Sequence, residues 1–309
     1  MGAPAQVLDW LLDWLLDSDP ALRWQVERDL AEAPPAVWEA TRARVPHEGF
    51  GARLLALQDP DGRWAGGAFF PADADPSGPQ PFTATTWVLN SLREWGVDPG
   101  ALGDTADRLA HARWEYDDLP YWGGEVDCCI NAWTLLNGGW LGVDVNGLVR
   151  WFEEHRMADG GWNCAWVEGS TRSSFHSTLA AVRALRDAQR RTGATPSAAA
   201  GEEYLLERRL LRRASTGELL APWVTDHTYP FRWGYSALNA LDHFRDVGVR
   251  DDRMAEAVEV VRSQRRTDGR WTRSGRFPGA VPFEVDAPAG EPSRWVTFLA
   301  LRVLRWWDA

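Results

Sequence analysis

Gln58-Asp-Pro-Asp61-Gly62-Arg63-Trp64 is a turn that the chain writes three times. Met157-Ala-Asp159-Gly160-Gly161-Trp162 and Gln264-Arg-Arg-Thr-Asp268-Gly269-Arg270-Trp271 repeat it, and worn copies lie near Trp122 and Trp223. The mean period is roughly 50 residues, which belongs to repeat arrays rather than ordinary domains. Each copy follows one helix-like segment and precedes a polar loop and a second helix-like segment. Gly after Asp suits a helix exit that needs positive φ. An aromatic at a fixed place in each turn fastens one repeat to the next, so these tryptophans are expected to be structural.

The second segments are 82–95, 126–141, 174–188, 235–244 and 295–307. Each is apolar around most of its circumference, as in Cys129-Ile-Asn-Ala-Trp-Thr-Leu-Leu, and a helix apolar all round is buried on every side. The segments 144–156 and 252–266 carry more charge and read as outer helices. Buried helices alternating with half-exposed ones predict an all-α fold, an α/α toroid of two concentric helix rings. About five helix-turn-helix repeats would fill residues 46–309. Residues 5–17, 20–32 and 35–45 read as helices of an N-terminal extension, 1–45, packed on the barrel. Asp19-Pro20 and Pro34-Pro35 mark two starts, since Pro is tolerated in a first helical turn. The stretches 72–81 and 272–292 look irregular and could form a lid.

The chain has 309 residues with 33 basic against 44 acidic, a net charge of -11. That balance argues against nucleic acid, whose phosphates need a basic face. All the basic residues are Arg, which excludes Schiff-base lysine chemistry. No apolar run approaches ~18 residues, so no transmembrane segment is expected. The start is acidic and lacks the basic region of a secretory signal. Three cysteines, two of them adjacent, make a poor disulfide framework, and a reduced, cytoplasmic protein is the expectation. No nucleotide cofactor and no obligate partner are evident; a monomer or homodimer is expected.

One constellation could carry chemistry. Asp127-Cys128-Cys129 opens one inner helix, and Phe175-His176 opens the next. Asp127, Cys129 and His176 would converge near one rim, a plausible Zn²⁺ set with one position open, and Cys164 could be a fourth ligand. Zinc would lower the pKa of a bound water or thiol. Positions two apart on a helix point about 200° apart, so Asp127 must sit at or before the first turn to share a site with Cys129. The plainer alternatives are an N-cap for Asp127, a small buried apolar residue for Cys129 and a hydrogen-bonded histidine for His176. Cys128 is expected to point elsewhere.

At these residues the sequence resembles the terpenoid-cyclase and protein-prenyltransferase superfamily. A Gln shortly before Asp-Gly-x-Trp, at 58–64 and 264–271, looks like the repeat signature of squalene-hopene cyclases. Gly123-Gly124-Glu125-Val126-Asp127-Cys128-Cys129 is similar to the inner-helix start of prenyltransferase β subunits. There Asp-x-Cys, with Tyr-His or Phe-His one repeat later, holds zinc; the resemblance implies Asp127, Cys129 and His176 as ligands. Glu125-Val126-Asp127-Cys128 also resembles the Asp-x-Asp-Asp acid motif of class II terpene cyclases, which implies Asp127 as proton donor. Here Glu replaces the first Asp and Cys the last. The segments 159–164, 169–176, 230–235 and 292–295 look like stand-alone, single-domain bacterial squalene-cyclase-like proteins, many of which carry His where Gly234 stands.

The reading that follows is a terpene-cyclase-like enzyme of secondary metabolism, a lyase or isomerase. It would cyclise a small hydrophobic, isoprenoid or meroterpenoid-like substrate in the barrel cavity, with Asp127 and His176 catalytic. Trp87, Trp133, Phe175, Tyr235 and Phe298, all on inner helices, are candidate lining residues, because aromatic faces stabilise carbocations. Arg172, Arg232 and Arg294 could hold a diphosphate or carboxylate. Two alternatives stand beside it. One is zinc-dependent prenyltransferase-like, hydrolase or lyase chemistry at Asp127, Cys129 and His176. The other is a non-enzymatic toroid scaffold with a structural zinc.

Overall fold

The computed structural model describes residues 9–193 and 198–309. Among them the chain is all-α, with isolated β-bridges and no named strand. The helices are α1 Asp9–Leu16, α2 Pro20–Asp29, α3 Pro35–Arg44, α4 Gly49–Leu55, α5 Thr85–Glu94 and α6 Thr105–Leu109. They continue with α7 Cys128–Trp140, α8 Asn146–Glu154, α9 Phe175–Thr192, α10 Ala198–Glu207, α11 Ala237–Asp246, α12 Ala255–Ser263 and α13 Arg294–Asp308. The predicted first helix begins at residue 5, and its residues 5–8 lie outside the described ones. Hairpins of an outer and an inner helix recur, the building unit of the expected α/α toroid. The stretches 72–81 and 272–292 are irregular, as expected.

The repeat turn is the same object each time. Asp59 N–H donates to Arg63 C=O at 2.8 Å, Met157 to Gly161 at 2.9 Å and Arg266 to Arg270 at 2.9 Å. Gly62, Gly160 and Gly269 take φ of 86°, 94° and 82°, where a side chain would be strained. The tryptophan that follows is fully buried in each copy and joins two helices. Its indole N–H donates ten residues back to the end of the outer helix: Trp64 to Leu54 (2.7 Å), Trp162 to Phe152 (2.8 Å), Trp271 to Val261 (2.7 Å). Its backbone N–H donates forward to a threonine in the inner helix: Thr85 (3.1 Å), Thr178 (3.1 Å) and Thr297 (3.0 Å). Each tryptophan thus satisfies a helix-end carbonyl that has no partner inside its own helix. The tryptophans are structural, as expected, but the bonds they make close one hairpin on itself rather than fastening it to the next.

Contacts divide the chain into two compact units. One holds the described residues up to Phe50 with Leu206–Phe277 and Glu284–Ala309. There α2, α11 and α13 meet through Arg302, whose guanidinium lies on Asp242 at 2.6 Å and reaches Asp29 at 3.3 Å. The other unit holds Gly51–Leu205 and Pro278–Phe283. Its centre is α7 packed against α9 and α5. From Ile130 to Gly138 every residue of α7 is buried, as the all-round apolar pattern predicted.

Candidate functional site

The site grows from the start of α7. Gly124, at φ 79°, has no room for a side chain: a Cβ there would lie 2.2 Å from Asn131 Oδ1. That oxygen accepts the Glu125 N–H at 2.7 Å, and the Asn131 amide donates back to the Glu125 carbonyl at 2.5 Å. Buried Glu125 then accepts the Asp127 N–H at 2.8 Å. Asp127 is therefore held at the N-cap position, before the first turn, as the shared-site geometry requires. Its carboxylate makes no capping hydrogen bond to α7 and meets the Cys164 side chain instead.

The surroundings of that carboxyl are unfavourable for charge. Burial first, then negative charge at Cys164 and Glu125, push its pKa up to about 7. Asp127 is therefore a carboxylic acid that keeps its proton close to neutrality.

Cys164 is the hub of a sulfur cluster. It opens the 3₁₀ turn Cys164–Glu168, and its N–H donates to Ser177 Oγ at 3.1 Å. The Cys129 N–H and the Ser177 hydroxyl donate to its sulfur at 3.4 and 3.3 Å. The thiols of Cys128 and Cys129 also direct hydrogen bonds at it, and this convergence of donors holds Cys164 far below the ordinary thiol range. The same bonds, with burial, drive Cys128 and Cys129 upward. The expectation that Cys128 points elsewhere is corrected. Successive residues at a helix start diverge by only about 100°, and the Cys164 turn lies across both.

His176 is half-buried in the first turn of α9, between Phe175 and Ser177. That turn adjoins the start of α7, with Cys129 Sγ 3.8 Å from Ser177 Oγ. Among the described residues, no three His, Cys, Asp or Glu side chains are spaced to hold one metal ion. The donor types at Asp127, Cys129, Cys164 and His176 are those that zinc takes.

Aromatic rings gather in the same unit. Trp87 and Trp133 lie 4.7 Å apart between ring centroids, with Phe69 4.8 Å and Phe82 4.9 Å from Trp87. Phe70 links this group to Tyr116 at 6.0 Å. The Tyr116 hydroxyl is pushed up by burial, and then by the charges of Glu115, Asp127 and Glu125. Tyr116 thus lies within the electrostatic reach of the site. Phe175 packs instead on Tyr204 at 5.8 Å.

The remaining candidates divide by unit. Arg172 is exposed, and its carbonyl accepts from Asn163 at 2.8 Å. Tyr235, Phe298, Arg232 and Arg294 belong to the first unit. There Tyr235 donates to the Leu210 carbonyl at 2.8 Å, Arg302 covers the Phe298 ring, and Arg232 takes a φ of 51°. Arg294 donates to the Trp14 carbonyl at 2.9 Å and pairs with Asp17 at 3.4 Å. At Gly234 a Cβ would meet Phe277 at 2.3 Å, so that ring fills the space a longer side chain would need.

Sequence reasoning missed Glu115. Its carboxylate accepts the N–H groups of Ala68 (2.6 Å), Phe69 (3.1 Å) and Phe70 (3.4 Å) and holds Phe69 in the aromatic group. Nothing in local periodicity marks a partner some 46 residues away.

No protein-family model and no curated protein matches the sequence. Among solved structures, the chain is similar to the apo form of the type II terpene cyclase MstE from Scytonema. The identity is 13%, over 82% of this chain and 94% of that one, with a TM-score of 0.31.

Proposed function

We propose that this chain is a terpene-cyclase-like enzyme that begins cyclisation of a small hydrophobic polyene by protonating it from Asp127. The reading is carried by the half-buried Asp127 carboxyl, held at the N-cap of α7 beside buried Glu125 and the Cys164 sulfur, surroundings that raise its pKa to about 7. General acids work best with a pKa near the operating pH. In the step proposed, the Asp127 O–H proton bonds to one alkene carbon and the other becomes cationic. A second alkene of the same molecule attacks that cation; the cyclised cation then loses a proton to water to give the neutral product, and a solvent proton restores the Asp127 acid. His176, in the adjoining first turn, orients the acid. Trp87, Trp133 and Phe69 supply the apolar, quadrupolar wall beside which a cation is stabilised.

The test is incubation with acyclic isoprenoid polyenes in deuterated water. The expected result is a cyclic product carrying one solvent deuteron, formed without added metal and absent with Asp127→Asn. Product that forms only with zinc and is lost on chelation would favour the prenyltransferase-like reading at Asp127, Cys129 and His176. Loss of folding rather than turnover on chelation would favour the scaffold with structural zinc.

A further inference from the structure

The chain's three cysteines, all free thiols, stand together at one place. Cys128 and Cys129 open α7, and Cys164 opens the 3₁₀ turn laid across that helix start. In the proposed cyclisation this cluster serves only as surroundings for Asp127. Cys129 and Cys164 are half-buried and Cys128 is buried, so a small solute meets the first two before the third.

Cys164 is arranged as an attacking thiol. Its sulfur lies at the N-terminus of α7, where it accepts the Cys129 N–H at 3.4 Å. An N–H in that first turn has no partner inside its own helix. The Ser177 hydroxyl is a second donor to the same sulfur, at 3.3 Å. Ser177 is buried, and its oxygen is fixed in turn by the Cys164 N–H at 3.1 Å and the Ser174 hydroxyl at 2.9 Å. Donors aimed at a sulfur stabilise the thiolate, and the thiolate is the form that attacks. Cys129 is arranged as the second thiol. Its sulfur lies 3.8 Å from the same Ser177 oxygen, and its backbone nitrogen is the one that the Cys164 sulfur touches. Two sulfurs on one hydroxyl, one of them against the other's backbone, need only side-chain rotation to meet the geometry of a disulfide.

We propose that Cys164 is an oxidation site for hydroperoxides and that Cys129 resolves it as an intramolecular disulfide. In the first step the Cys164 thiolate attacks one peroxide oxygen. The S–O bond forms, the O–O bond breaks, and the departing oxygen takes a solvent proton and leaves as water or an alcohol. Cys164 is then a sulfenic acid. In the second step the Cys129 sulfur attacks the Cys164 sulfur. The S–S bond forms, the S–O bond breaks, and the hydroxide leaves as water with the Cys129 proton. Two thiols lose two hydrogens, and one hydroperoxide is reduced. A dithiol reductant reverses the change by exchange. The disulfide pins the Cys164 turn to α7 and takes from Asp127 the sulfur that its carboxyl meets. These steps need no polyene and no turnover, so they stand apart from the cyclase proposal.

The full chain is reduced, freed of reductant and treated at neutral pH with a small molar excess of hydrogen peroxide. It is then blocked with iodoacetamide and mapped by mass spectrometry. The expected product is a single chain lacking two hydrogens, with Cys164 linked to the peptide that carries Cys128 and Cys129; cleavage at Arg156 separates the two peptides once the bond is reduced. Dithiothreitol is expected to restore the starting mass. Cys128→Ser should form the bond as the wild type does. Cys129→Ser should stop at a Cys164 sulfenic acid that dimedone captures, and Cys164→Ser should form no intramolecular disulfide. If a variant does not fold, fragmentation of the wild-type linked peptide between residues 128 and 129 places the bond. A bond to Cys128 rather than Cys129, oxidation to sulfinic or sulfonic acid without a disulfide, linkage only between chains, or three thiols still fully alkylated after exposure would each overturn the assignment.

Discussion

Arg302 lays two guanidinium nitrogens on the Asp242 carboxylate, Nε on Oδ1 at 2.8 Å and Nη2 on Oδ2 at 2.6 Å. Its third nitrogen reaches Gln25 at 3.4 Å and Asp29 at 3.3 Å, so one side chain ties α13 to α11 and α2. The pair is nearly dry, with about 10% of each side chain exposed. Arg302→Ala leaves Asp242 buried beside Arg245 without its bidentate partner, and is expected to lower stability by about 3–5 kcal/mol. Arg302→Met, which refills the space with apolar atoms, is expected to cost less. Urea unfolding of the two variants tests the order; equal losses would contradict the account.

The repeat tryptophans make a second test. Trp162→Phe keeps an aromatic ring but removes the N–H and part of the buried indole, stranding the Phe152 carbonyl and opening a small cavity. Thr178→Val strands the Trp162 N–H in the same way. Each is expected to cost about 1–3 kcal/mol, and the matching changes at Trp271 and Thr297 should cost similar amounts. A loss confined to one copy would show that the clasp is not equivalent between repeats.

Asp127 has a stability signature as well as a catalytic one. A carboxyl whose folded pKa is raised above its unfolded value stabilises fully below the unfolded value of 3.8 and loses that contribution as pH rises through about 7. Asp127→Asn should therefore melt with the wild type near pH 4 and at higher temperature than the wild type near pH 8, while losing turnover at both. Wild-type turnover should fall as pH rises through about 7. Thermal melts across that range, with product analysis, check both halves.

His227 has the opposite sign. It is 2% exposed, and neither ring nitrogen has a hydrogen-bond partner among the described residues. Burial depresses its pKa from 6.5 to about 4. Its contribution is fully present above about pH 6.5 and is lost as pH falls towards 4, by up to about 3 kcal/mol. In His227→Phe that acid-side loss should be smaller than in the wild type, measured by unfolding at pH values between those limits.

How much of this was legible beforehand follows from the range of each interaction. The five inner helices were predicted at 82–95, 126–141, 174–188, 235–244 and 295–307 and begin within about three residues of those marks. Their apolar circumference and the Asp-Gly-x-Trp turns are local signals. The pairing of Asp127 and Cys129 with the start of α9 was also within reach, because a repeat array makes corresponding positions neighbours. Cys128 was misread because its partner, Cys164, sits on a 3₁₀ turn whose path no periodicity reports. Glu115 was overlooked, and Glu125 was read only as a departure from the acid motif, for one shared reason. Each acts through backbone N–H groups or a desolvated surrounding, and neither leaves a mark in residue spacing.

The clasp of indole and threonine lies wholly inside the hairpin it closes. A unit that brings its own fastening can be duplicated, lost or exchanged as a cassette, with its neighbours needing only to keep an apolar flank. The worn copy at Trp122 shows the drift such freedom permits: its indole has found the Ala106 carbonyl, sixteen residues back rather than ten, at 3.0 Å.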